Sequence, residues 1–154
     1  MNEFNEKLQA FFEEFGGGRT MVLSTCADCT EGRVSSRMMS VVLTDGKFFF
    51  QTDTQLRKYA QLKENPRAAL CIDNIQIEGV CKELGHPLDN EAFVRAFEGR
   101  FKGSFDAYTS LKNERLFAFE PEYIERWVYR DGAPFVEIFF IPEERYVFEP
   151  YHGE

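Results

Sequence analysis

An Asp-Gly pair set between apolar runs leaves a chain few options. Asp45-Gly46 stands between RVSSRMMSVVLT and KFFFQT, and Asp131-Gly132 separates ERWVYR from APFVEIFFI. Asp and Gly tolerate the left-handed backbone of a tight hairpin turn, so the flanking runs read as antiparallel neighbours. Further strand-like runs are RTMVLSTC, RAALCID, IQIEGVCKEL and RYVFEP, and Asp73-Asn74 marks another hairpin. The stretch from Arg115 to Ile141 reads as three strands, with Pro121 and Asp131-Gly132 as punctuation. Three segments have helical spacing instead. Phe4, Leu8, Phe11, Phe12 and Phe15 form one stripe, ended by Gly16-Gly17-Gly18. A short helix runs from Gln55 to about Asn65 before Pro66, and a third covers LDNEAFVRAFEGRF. Many short strands with few helices, no βαβ rhythm and no G-x-G-x-x-G predict an α+β protein. It is mainly β: an antiparallel barrel or sandwich decorated by helices, one domain over 1–154.

Composition narrows the function. The 154 residues carry a net charge of −8, and 44% are hydrophobic, Phe alone occurring 17 times. No stretch is basic enough for a nucleic-acid face. No apolar run approaches the roughly 20 residues that span a bilayer. The N-terminus is acidic and lacks a signal-peptide core, which predicts a cytoplasmic protein with reduced thiols. Cys26-Ala-Asp-Cys29 has C-x-x-C spacing but lies in a hairpin-like loop, and Cys71, Cys81, His86 and His152 add no ligand spacing. The pair reads as structural or incidental thiols rather than as a metal or redox site.

The segment Thr52 to Lys58, TDTQLRK, is less ordinary. It ends a strand and opens a helix, and it places Arg57 and Lys58 in the first helical turn. Cations oppose the positive end of the helix dipole. One reading is a solvated cationic turn. The other is a phosphate held by helix N–H groups, by Thr52 or Thr54, and by both cations. Arg37 lies mid-strand in VSSRMMSVV and needs a partner or an anion if buried. Three cations could then converge on one phosphate.

The run Arg37-Met38-Met39-Ser40-Val41, the Asp-Gly turn, FFFQTDTQLRK and LKENPRAAL resemble the pyridoxamine 5′-phosphate oxidase-like FMN-binding split barrels. The resemblance continues through IQIEGVCKEL to PEYIERW, and its most specific part ends in Asn65-Pro66-Arg67. It implies a homodimer with FMN in a cleft between subunits. By that resemblance Arg37, Met38, Met39 and Ser40 line the isoalloxazine edge and ribityl chain, and Gln51 and Thr52 lie beneath them. Arg57 and Lys58 hold the phosphate. Asn74 reaches across the dimer, and Trp127 either flanks the flavin or packs in the core.

Two departures stand out. Leu56 replaces a common phosphate-binding hydroxyl. Val42 replaces the base that holds a substrate phosphate, and VYRDGAPF lacks the Arg-x-His substrate motif. The resemblance therefore implies FMN chemistry, as an oxidoreductase on a small molecule, without vitamin B6 recognition and with no named catalytic residue. The alternatives are a non-enzymatic module that stores or senses flavin or haem, and a structural dimer with a degenerate site.

Overall fold

The computed structural model describes residues 1–27 and 31–153. The sequence periodicities become eight strands: β1 Gly18–Ala27, β2 Arg33–Thr44, β3 Lys47–Asp53, β4 Arg67–Ile72, β5 Ile75–Gly85, β6 Glu114–Arg130, β7 Ala133–Phe140 and β8 Arg145–Pro150. They form one antiparallel sheet ordered β3-β2-β1-β4-β5-β6-β7-β8, and an extra β3–β6 pairing closes the first six into a barrel. Closure removes the two edges that an open sheet of these strands would present. The expected hairpins are present: Thr44 pairs Lys47 across Asp45-Gly46, Ile72 pairs Ile75, and Arg130 pairs Ala133. Asp45, Asp73 and Asp131 all take positive φ, the backbone these turns require.

Where three strands are expected between Arg115 and Ile141, two are found, because Pro121 does not interrupt β6. Its ladder with β5 steps from Glu78–Tyr123 to Gly79–Pro121, leaving Glu122 as the extra residue of a bulge. A proline has no N–H for the ladder, and a bulge is where that loss is tolerated. Gly79 is the other half of the fit. A Cβ there would lie 2.3 Å from the Glu120 carbonyl oxygen and 2.6 Å from the Phe119 ring.

Alternation along the strands sends Met21, Leu23, Val41, Phe48, Phe50, Leu70, Ile77, Phe117 and Phe119 into one core. Helix α1, Glu3–Phe15, is N-capped by Asn2 and buries Phe4, Phe11 and Phe15. Its rings meet Phe139 of β7 edge-on and Phe48 of β3 at 5.4 Å. Beneath α1, Glu137 accepts from Arg126 and from the Tyr146 hydroxyl, both at 2.6 Å, while Arg126 also pairs with Glu14. Helix α2, Arg57–Glu64, starts two residues later than its sequence pattern suggests, since Gln55 and Leu56 form a turn over Asp53. Helix α3, Glu91–Arg100, buries Phe93 and Phe97 in a second, smaller core with Val42 and Leu116. A short helical stretch after it, Lys102–Ser104 running into a π-helical turn at Phe105–Thr109, has no counterpart in the sequence reading. No helix among the described residues is long and apolar enough to cross a membrane.

Gly79→Ala should lower stability by roughly 1–3 kcal/mol, because backbone rather than a flexible side chain blocks the added methyl. An unchanged urea midpoint would refute this account of the bulge.

Candidate functional site

Strand β3 ends at Asp53 and the chain turns at once into α2, so the helix N-terminus opens beside the barrel wall. Leu56 stands at the N-cap, with no side-chain cap and no acidic residue in the first turn. The helix is fixed by polar contacts on its inner face. Buried Gln61 accepts from Thr25 Oγ1 at 2.7 Å and from the Arg37 guanidinium at 2.9 Å. Arg37 also donates to Thr25 Oγ1 and to the Leu23 carbonyl. All of these acceptors are neutral. Asn65 closes the helix at its other end and donates to the Cys26 carbonyl at 2.7 Å.

Arg37, Arg57 and Lys58 therefore share one region without a carboxylate in ion-pair contact among the described residues. Burial, and then the Arg57 charge, holds the Arg37 pKa below its ordinary value. Burial, and then Arg37, lowers that of Lys58, against the pull of Glu114 and Asp53. Such mutual repulsion among cations at a helix N-terminus marks a place where an anion is stabilised.

Next to it lies a cavity of about 530 Å³ lined by Met38, Met39, Ser40, Gln51, Thr52 and Lys58. Six of the ten residues anticipated from sequence thus meet around one space. Gln51 is held by the Thr109 hydroxyl at 3.0 Å. Thr52 is 2% exposed, and its Oγ1 is a buried side-chain atom without a hydrogen-bond partner. A lone hydroxyl of that kind is costly to bury and fits a ligand that supplies the missing partner.

The other four anticipated residues lie off the lining. Arg37 is committed to the β1–α2 contacts, and Arg57 is exposed on the rim of the helix. Asn74 sits in the β4–β5 turn and donates to the Trp127 carbonyl at 2.5 Å. Trp127 is half-buried, its ring 4.9 Å from that of Tyr151, so it is neither a core tryptophan nor a wall of this cavity.

Gln55 and Leu56 of the turn into α2 also line it, and the rest of the lining escapes the sequence reading: Phe97, Ser104, Tyr108 and Leu111 from the segment after β5, and Asp53 and Glu114 from the paired ends of β3 and β6. Glu114 is 5% exposed, and its carboxyl pKa is pushed up to about 6 by burial and then by Asp53. Nothing local in LKNERLFAF distinguishes that glutamate from a surface one. Val42, where a base would hold a substrate phosphate, is fully buried among Phe93, Phe97 and Leu116. Cys29 of the C-x-x-C pair lies outside the described residues, and Cys26 is half-buried.

Thr52→Val keeps the shape and removes the orphan hydroxyl. The ligand-free protein should gain roughly 1–3 kcal/mol, read as a raised Tm. A lowered Tm would show that the hydroxyl has a partner.

Three solved structures superpose on most of the chain. A pyridoxamine 5′-phosphate oxidase-related, FMN binding protein from Nostoc punctiforme gives a TM-score of 0.64 at 14% identity, over 97% of this chain and 94% of that one. PhzG from Burkholderia lata, in complex with tetrahydrophenazine-1-carboxylic acid, gives 0.60 at 16%, over 97% and 90%. HutZ, a heme storage protein from Vibrio cholerae, gives 0.59 at 18%, over 79% and 92%. At these identities the likeness is one of fold. Curated protein sequences contain no match. Residues 4–128 match the sequence model of the pyridoxamine 5′-phosphate oxidase family, and the chain belongs to that family.

Proposed function

We propose that this protein binds FMN and acts as a flavin-dependent oxidoreductase on a small molecule. The observation that carries the reading is the conjunction at α2. An uncapped helix N-terminus bears two cations, with a third close by, and Thr52, whose buried hydroxyl has no partner, is among the residues of a cavity beside them. These residues fit a phosphate ester. The helix N–H groups and Lys58 would hold the phosphate, and Arg57 and Arg37 would add field. Thr52 and Ser40 would meet the polyol, and Met38, Met39 and Gln51 would line the ring. When bound, FMN supplies the capacity to accept and donate a hydride. The chain's own contribution is to orient the flavin, exclude water and place positive charge near it. With Val42 and its phenylalanine neighbours sealing the second anion position, the substrate is not selected by a phosphate of its own.

A haem-binding reading has HutZ among the similar folds. His86 does not line the cavity, and both of its ring nitrogens are engaged, with Leu111 O at 2.9 Å and Leu88 N at 3.1 Å. The visible spectrum of the purified protein separates flavin from haem.

We also propose a homodimer. Met38 and Val34 leave apolar side chains 61% and 65% exposed on β2, and Met38 is part of the cavity wall. Asn74 and Trp127 lie away from the cavity of their own chain, which suits a role in the other cleft of a dimer. An interface of more than about 2,000 Å² is expected. Light scattering should give twice the chain mass at micromolar concentration; the monomer mass would reject the dimer.

Lys58→Ala should weaken FMN by roughly 10–150-fold and riboflavin little, since riboflavin has no phosphate. The ligand-free variant should be as stable as the wild type or slightly more so, because a cation leaves the positive helix end. Paired titrations with both flavins and thermal melts measure this. Equal loss for both ligands, or none, would remove the phosphate from α2.

A further inference from the structure

Glu114 is a buried carboxylate that the flavin reading does not use. It opens β6, opposite Asp53 in the β3–β6 ladder, and lines the same cavity as Lys58 and Thr52. Its backbone is anchored: the N–H donates to Leu111 O at 3.2 Å, and the carbonyl accepts from Arg115 at 2.7 Å. Its carboxylate has no hydrogen bond or ion pair among the described residues, although the residue is only 5% exposed. The carboxylate oxygens open to the cavity, so the charge has no partner from its own chain and meets whatever enters there.

The charges that face it come from three elements. Asp53 at the end of β3 repels it, Lys58 in the first turn of α2 attracts it, and His86 after β5 attracts it when protonated. Asp53 is itself tied to the Gln55 N–H at 2.7 Å. Glu114 and Asp53 are also the two anions whose fields act on Lys58. Lys58 is therefore contested by two carboxylates of the chain and by any anion that enters the cavity.

We propose that Glu114 is the specificity-determining carboxylate of this cavity: it competes with a ligand's phosphate for Lys58, so that a phosphate ester binds together with a proton on Glu114. The inference rests on the reading that the phosphate sits at the α2 N-terminus. It adds that the site discriminates between phosphorylated and unphosphorylated ligands according to pH.

The direction follows from linkage. In the ligand-free protein the carboxyl loses its proton at about pH 6. A phosphate beside it raises that value further, since two anions repel. Ligand binding then takes up a proton at pH values between the two, and affinity falls as pH rises through that window. Below it Glu114 is neutral and resembles glutamine.

The experiment titrates FMN and riboflavin into wild type and Glu114→Gln between pH 5 and 8.5. At pH 5 the two proteins should bind FMN alike. At pH 8 Glu114→Gln should bind it about 10-fold more tightly, the effect of one pKa unit of displacement. Riboflavin affinities should keep one ratio between the two proteins at every pH. Comparing proteins at each pH cancels the titration of FMN itself.

A second measurement needs no variant. At pH 7.5, where a phosphate monoester is already largely a dianion, calorimetry of the wild type in two buffers of different ionisation heat should show proton uptake with FMN and none with riboflavin. A pH-independent ratio, weaker FMN binding by Glu114→Gln at pH 8, or equal proton uptake with both flavins would each overturn the inference. The underlying reading fails separately. If the wild type at pH 5 binds riboflavin as well as FMN, the phosphate is not at Lys58 and both statements fall.

Discussion

Much that is distinctive about this molecule depends on a helix whose positive end is held in place by neutral groups, with no carboxylate in ion-pair contact with its cations among the described residues. Arg37, Thr25 and Gln61 lock α2 against β1 and β2 through neutral acceptors only. A carboxylate in place of Gln61 would satisfy Arg37 as an ion pair and cancel one of the three charges. With an amide there, the guanidinium is hydrogen-bonded yet keeps its full field, and that field reaches Lys58. The contacts that fix the geometry therefore also preserve the charge.

The barrel serves that arrangement by bringing distant segments to the same wall. Strand β6 pairs with β3, β5 and β7 along its 17 residues, so one strand closes the barrel and carries the last two strands outside it. The bulge at Pro121 and Gly79 lies where β6 passes from pairing with β3 to pairing with β7. Register then places Glu114 opposite Asp53, at the point where β3 gives way to α2. The carboxylates and cations of the cavity are neighbours because strand register made them so, although 56 residues separate Lys58 from Glu114 in the chain.

The second core shapes the apolar side of the cavity. Val42, Phe93, Phe97 and Leu116 pack together, and Phe97 also forms part of the cavity wall. A phosphate on the substrate side would meet rings and an acidic corner. The short helical stretch through Thr109 completes that side and holds Gln51 by its hydroxyl. One flank of the cavity thus suits an anion, and the other suits a flat apolar group.

What the sequence determined by itself is local. The Asp-Gly and Asp-Asn turns fix hairpins because few residues accept positive φ, and the phenylalanine stripe fixes α1 because only helical spacing gathers it on one face. Arg57 and Lys58 at a helix start could be recognised as unusual from the dipole alone, and that Met38, Met39, Ser40, Gln51 and Thr52 share one space was legible through their family pattern. Other features were decided only in three dimensions. Whether Pro121 breaks a strand depended on a bulge partner forty residues away, and Gly79 supplied it. Whether Arg37 faces a ligand or a helix depended on Gln61, whose side chain looks like any other on a polar helix. Glu114 had no local signature at all. Burial and an unpaired carboxylate are properties of the folded neighbourhood, since they arise from which strands register with which, and residue type alone does not carry that information.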